Sequence, residues 1–306
     1  MKALNNYLRR LHNRIKENKG TFILYTILRL MVLAALIRSI LIHNYEGAAV
    51  CLLTLVLFIL PSFLEGSLQV EIPGLFQGII YCFIFAAMIL GELHNYYTKI
   101  PIWDTALHTL NGFLFAAVGF VTIDLLNRNS KNVHLSPLYL TMVAFCFSMT
   151  IGVLWEFIEC AGDLFFGQDM QKDFIVQVFQ SCKLDPTNNQ QAIKVADIIK
   201  TQIFTASGQV FEVEGGYLDI GILDTMKDLL VNLIGAVVFC IFGFIYLHSG
   251  SRKKVAASVV EGLRIQPAHD QAEEEKETEK QAVKPAEEEK ESQKQAVEPA
   301  EEKKEP

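Results

Sequence analysis

Asp104, His108, Glu156, Glu159, Asp163, Asp224, Asp228 and Asn232 are polar side chains set in or beside long apolar runs. Ionisable groups in such runs are costly and point to function. Their spacing is helical. Asp104, His108 and Gly112 are four apart, and so are Asp224, Asp228 and Asn232, with Gly235 close behind. Gly152, Glu156, Glu159 and Asp163 follow at i+4, i+3 and i+4, so each set shares one helix face. Carboxylates with one imidazole and one amide suit a divalent Mg, Mn or Ca ion, with Zn or Fe as alternatives. Such an ion polarises a phosphoryl oxygen or activates water. His108 is then a ligand or a general base, and Glu156 or Glu159 can take the acid–base role. Unpaired carboxylates crowded together repel and tend to protonate. The alternatives to a metal are pairing with Arg or Lys, or a purely protonic network. Asp104 and Asp224 also suit the first turn of a helix through the helix dipole.

Six apolar stretches must position these groups: 21–42, 46–63, 73–92, 103–126, 137–159 and 225–248. Each is long enough to cross about 30 Å of hydrocarbon. Runs of this length mean helices and not barrel strands, and the second ends at Pro61. The expected fold class is an all-α polytopic membrane protein with about six transmembrane helices. Lys2, Arg9, Arg10, Arg14, Lys16 and Lys19 precede the first helix, with Glu17 as the lone acid. The positive-inside rule therefore places the N-terminus, residues 1–20, in the cytoplasm. An even number of crossings returns the C-terminus there. Arg128, Lys131, Arg252, Lys253 and Lys254 then fall inside, as the rule requires. With no small-residue cleavage site after it, the first helix reads as retained. All three polar stripes come to the outer end of their helices. Arg38, near the outer end of the first helix, either reaches the carboxylates or snorkels to the interface, as does the deeper Arg29. Glu92 and His94 fall at the same outer depth.

Residues 160–224 form an extracytoplasmic insertion, expected to be a small α+β unit. Gln168–Val178 and Gln191–Phe204 read as helices, and Asp185-Pro-Thr-Asn-Asn as a turn. Gln209–Gly221 alternates about Gly215-Gly216, which suggests a hairpin. Cys51, Cys82, Cys146 and Cys240 lie in apolar runs as small hydrophobes. Cys160 and Cys182 flank the polar segment and could pair on an oxidising side.

Residues 249–306 read as a disordered, Glu/Lys-rich cytoplasmic tail. Gln281–Lys290 recurs as Gln295–Lys304, a 14-residue repeat without aromatics. Such a segment buries too little surface to offset the entropy of ordering. From 268 on it holds 13 Glu, Asp270 and seven Lys, so it carries the whole formal charge of −7. The tail or the insertion could bind a protein partner. No basic patch interleaved with aromatics supports a nucleic-acid partner.

The order Trp103-Asp104-xxx-His108-xxx-Gly112, Trp155-Glu156-xx-Glu159, Asp224-xxx-Asp228-xxx-Asn232-xx-Gly235-Ala236 resembles the VanZ-like superfamily of bacterial membrane proteins. It is closest to the YjdF-like group, over about residues 100–240. The resemblance implies a bacterial plasma-membrane location and a role in the cell envelope. It departs at Thr105, where a Lys is usual, at Glu159, where Gln is frequent, and in the long insertion 164–223. The resulting expectation is metal-assisted hydrolysis or transfer on a lipid-linked or phospholipid substrate. Ion or proton transport and a non-catalytic envelope scaffold are the alternatives.

Overall fold

The computed structural model describes residues 19–68, 70–129, 135–249, 254–263 and 266–267. Among the described residues, six helices are long and apolar enough to cross a membrane: Lys19–Leu41, Tyr45–Phe63, Gly74–Leu93, Trp103–Asn127, Pro137–Phe166 and Ile222–Ser249. They are called the first to sixth spans, and the protein is an all-α polytopic membrane protein. Its apolar surface agrees with this. Ile23, Ile27, Leu30, Ile37 and Leu41 of the first span are each more than half exposed, whereas only Leu28, Val32 and Ser39 are buried. Such a surface would be an aggregation hazard in water and is what lipid requires. The second span corrects the expectation of an end at Pro61. It breaks at Phe58-Ile59, and the helix re-forms over Leu60–Leu68. Pro61 sits in the first turn there, where its missing N–H costs nothing. The third span passes into a π-helix over Ala86–Leu93.

The spans sort into two packed groups. Leu28, Val32, Cys51, Phe58, Tyr81, Ile84, Phe85 and Ile89 form the core of the first three. Leu114, Ala116, Ala117, Phe120, Val121, Ala144, Ala236 and Phe239 form the core of the last three, joined by Phe76 and Ile72. Without water to drive apolar burial, membrane helices associate through close packing, which small residues permit. A Cβ on Gly235 would collide with the carbonyl oxygen of Thr109, and one on Gly112 with that of Asn232. The fourth and sixth spans therefore touch backbone to backbone. The fifth joins them through Ser148, whose hydroxyl donates to the Gly112 carbonyl at 2.7 Å. Phe239 lies edge-on to Phe113 and Phe120 and fills the space below.

The insertion corrects the α+β expectation, because it is built of short antiparallel ribbons. β2 (Ile175–Val176) pairs with β7 (Tyr217–Leu218), β3 (Phe179–Ser181) with β4 (Ile193–Val195), and β5 (Lys200–Phe204) with β6 (Val210–Glu214). Neither Gln168–Val178 nor Gln191–Phe204 is helical. Side-chain carboxylates hold the first extended, Asp163 accepting the Met170 and Gln171 amides and Asp219 that of Phe174. The second is divided at Asp197, which has φ 57°. Ile193, Val195 and Ile203 there are strand residues. Gly215-Gly216 does not close a hairpin. Gly215 has φ 86° and turns the chain from the β5–β6 ribbon to the β2–β7 ribbon. The turn at Asp185 is present, its carboxylate accepting the Thr187 and Gln191 amides at 2.9 and 3.0 Å. Cys160 and Cys182 are free thiols and do not pair.

At the opposite end, Lys254–Gly262 is a helix that buries Ala256, Ala257 and Val260, and Leu263 just after it is buried too, Val260 and Leu263 in the core of the last three spans. β8 (Gln266–Pro267) then pairs with β1 (Val70–Glu71). The expectation of a disordered tail from 249 is thus corrected for this part, because the apolar i, i+1, i+4 pattern of 256–260 has a bundle end to pack against. The repeat tail 268–306 and the basic residues 1–18 lie outside the described residues.

Gly235→Ala should destabilise the purified protein by about 1–3 kcal/mol through overpacking. Gly66→Ala, where an added Cβ meets open space, should be neutral or stabilising by up to ~1 kcal/mol. Thermal unfolding in detergent checks both. Hydrogen bonds from Thr187 and Gln191 hold the Asp185 carboxyl below its ordinary 3.8. Its contribution to the turn is therefore complete above that value and lost as pH falls through the lower folded value. Protection of the Gln191 amide from exchange, corrected for intrinsic rate, should fall in that window in the wild type. Asp185→Asn should remove this pH dependence.

Candidate functional site

The three polar stripes meet at the insertion end of the last three spans. The contacts at Gly112 and Gly235 bring the fourth and sixth spans together, and Gly152 brings in the fifth, where a Cβ would stand 2.7 Å from Asn232 Nδ2. One helical turn nearer the insertion, His108 lies between two groups of carboxylates. Asp104, His108 and Asp228 offer ligand atoms within 4.8 Å of one another, and so do His108, Glu156 and Glu159. The imidazole Nε2 is 3.4 Å from Asp104 Oδ1, and Nδ1 is 3.7 Å from Glu156 Oε1. Both rings of acids therefore share one histidine.

These groups are out of water and incompletely satisfied. Asp228 is 1% exposed and Glu156 4%. Among the described residues, both Glu156 oxygens and Asp228 Oδ1 are buried without a hydrogen-bond partner. The 3.5 Å from Lys227 Nζ to Asp228 Oδ1 is an ion-pair distance, beyond the usual hydrogen-bond range. A buried acceptor left in this state costs about 1–3 kcal/mol, more for a charge. Glu159 is better placed, accepting the Trp155 indole N–H at 2.7 Å.

The other candidates stand elsewhere. Asp163 spends its two oxygens on the Met170 and Gln171 amides, at 2.6 and 2.9 Å. Asp224 accepts the Lys172 amide at 2.9 Å and faces Lys227 at 3.1 Å. Together they tie residues 170–172 to the ends of the fifth and sixth spans, and the Gln171 amide group adds a bond to Thr225. Asn232 lies a turn deeper and accepts from Asn111 Nδ2 at 3.1 Å. It forms the floor of the cluster, above the apolar layer of Ala116, Ala117, Ala144 and Phe239. Arg29 donates to Tyr25 within the first span, and Arg38, Glu92 and His94 are exposed.

The cation of the cluster is Lys227, which the sequence reading passed over. Its ammonium is 3.3 Å from Asp104, 3.1 Å from Asp224 and 3.5 Å from Asp228. The signal was available, since Lys227 is three residues from Asp224 and adjacent to Asp228. Trp155, four residues before Glu159, was legible in the same way. Tyr97, on the short helix Tyr96–Lys99, was not. Burial pushes its phenol up, and the nearby charges of Glu92, Asp104 and Glu159 push it further.

Acids outnumber bases in the cluster among the described residues. Asp104, Glu156, Glu159, Asp224 and Asp228 face one ammonium and one imidazole. His108, with one nitrogen toward Asp104 and the other toward Glu156, has the arrangement of a metal ligand backed by a carboxylate.

An uncharacterized protein of Thermotoga maritima is 27% identical over 103 residues, 34% of this chain and 52% of that protein. The chain thus spans about half the length of that curated relative. No solved structure matches. A family model described as "Predicted membrane protein (DUF2238)" matches residues 24–249, which include all six spans except the first few residues of the first. The chain, with the whole cluster inside that match, belongs to the DUF2238 family of predicted membrane proteins.

Proposed function

We propose that the cluster is a divalent-cation centre for hydrolysis or transfer on a lipid-linked or phospholipid substrate of the bacterial cell envelope. Asp104, His108 and Asp228 hold the ion, Mg, Mn or Ca by their oxygen-rich chemistry. Glu156 orients His108 from behind, and Glu159 serves as the proton acceptor. The observation that carries the reading is the buried, unpartnered Glu156 and Asp228 oxygens beside His108. A cation held by Asp104, His108 and Asp228 converts the cost of the Asp228 oxygen into binding energy. It would also polarise a phosphoryl oxygen or lower the pKa of a water.

The basic residues ahead of the first span support a cytoplasmic N-terminus. On that reading, with six crossings, the cluster lies at the outer leaflet of the plasma membrane, where lipid-linked substrates present their head groups. The apolar layer below Asn232 favours a one-sided site over a path for ions across the bundle.

Asp104→Asn, His108→Gln, Glu156→Gln and Asp228→Asn should each reduce turnover of the membrane's lipid-linked or phospholipid pool by about 100-fold, at the upper end for altered metal shells. Mass-spectrometric lipid profiles of membranes carrying wild type or variant, at matched protein levels, check this. Four variants with the wild-type profile would exclude the catalytic reading.

A further inference from the structure

Lys227 and a metal ion would compete for the same atoms. The Lys227 ammonium stands 3.3 Å from Asp104 Oδ2 and 3.5 Å from Asp228 Oδ1. Those two carboxylates, with His108, form one of the groups whose ligand atoms lie within 4.8 Å. A divalent ion there and an ammonium a few ångströms away repel strongly in a poorly solvated site. The ammonium has a way out. Its side chain is 35% exposed, against 21% for Asp104 and 1% for Asp228. It also sits on a flexible four-carbon stem. Asp224, 3.1 Å away and outside both ligand groups, can keep it at the rim.

The second requirement is a ligand for the released charge. Without a metal, the carboxylates repel an anion. With one, the rim carries a divalent ion and an ammonium side by side, a pairing that suits phosphate oxygens, for which Lys acts as a point charge. The two Glu156 oxygens, buried without a hydrogen bond among the described residues and outside the reach of Lys227, are independent grounds for an occupant at the inner position.

We propose that Lys227 is a built-in counter-ion which the incoming metal displaces and which, once displaced, anchors a phosphate group of the substrate. The proposal rests on the metal reading above. It makes metal and phosphate bind in order, each favouring the other, as linkage requires.

The test uses full-length protein in phosphatidylcholine nanodiscs. Mn2+ affinity is measured for wild type, Lys227→Met, Lys227→Gln and Lys227→Arg, alone and with inorganic phosphate or with phosphatidic acid in the disc. Met and Gln should tighten Mn2+ binding by about tenfold, within the ordinary range of coupling between sites, and Arg should match wild type. In the wild type, phosphate should tighten Mn2+ binding, and in the Met and Gln variants that coupling should vanish. Coupling to inorganic phosphate identifies a free phosphate ligand, and coupling to phosphatidic acid alone identifies a lipid head group. Either supports the proposal. The Gln variant supplies the answer if Met fails to fold. Unchanged Mn2+ affinity without the ammonium, or phosphate coupling that survives its loss, overturns the role of Lys227 and leaves the metal reading standing. Absence of Mn2+ binding in all four proteins removes both.

Discussion

Gly112 and Gly235 let the fourth and sixth spans meet backbone to backbone, against the Asn232 and Thr109 carbonyls. That approach sets the distances above it. His108 and Asp104 stand one and two turns nearer the insertion than Gly112, and Asp228 stands two turns nearer than Gly235. A larger residue at either glycine would part the helices and move Asp104 and His108 away from Asp228. The fifth span is held to the same contact by Ser148 and by Gly152 against Asn232. The position of every acid in the cluster therefore depends on helix packing, which in lipid is a matter of van der Waals contact and few hydrogen bonds.

Packing creates an electrostatic problem that the rest of the molecule manages in part. Backbone amides of residues 170–172 bond both oxygens of Asp163 and one of Asp224. These bonds tie the insertion to the two spans that carry Glu156, Glu159 and Asp228. Lys227 serves Asp104, Asp224 and Asp228 from the rim. Trp155 serves Glu159. What is left over, Glu156 without a hydrogen bond and Asp228 Oδ1 with only the 3.5 Å ion pair to Lys227, is concentrated around His108, and on the proposed reading the cation goes there.

The spans and stripes were legible because hydropathy over about 20 residues and a period near 3.6 are strong, local signals. The order Asp104, His108, Glu156, Glu159, Asp228 could be read off helix faces without knowing how the helices pack. The insertion could not. Its strands are two to five residues long and take their partners from distant sequence, Ile175 pairing with Leu218. Asp163, Asp185 and Asp219 stabilise it through side-chain bonds to backbone amides, which no periodicity reports. Reading helix faces alone passes over Lys227. It is adjacent to Asp228 and off the 224–228–232 stripe, yet a long side chain reaches around the helix to three acids. The division among Asp104, Asp163, Asp224 and Asp228 likewise depends on which backbone amides the insertion supplies.

Metal analysis of purified wild type beside an Asp104→Asn/Asp228→Asn double variant tests the proposed centre most directly. After removal of loosely bound ions and exposure to Mg, Mn and Ca, the wild type should retain about one divalent ion per chain and the folded variant none, because its two carboxylate ligands have become amides. Equal metal in both proteins, or none in either, would contradict a cation centre built on Asp104, His108 and Asp228.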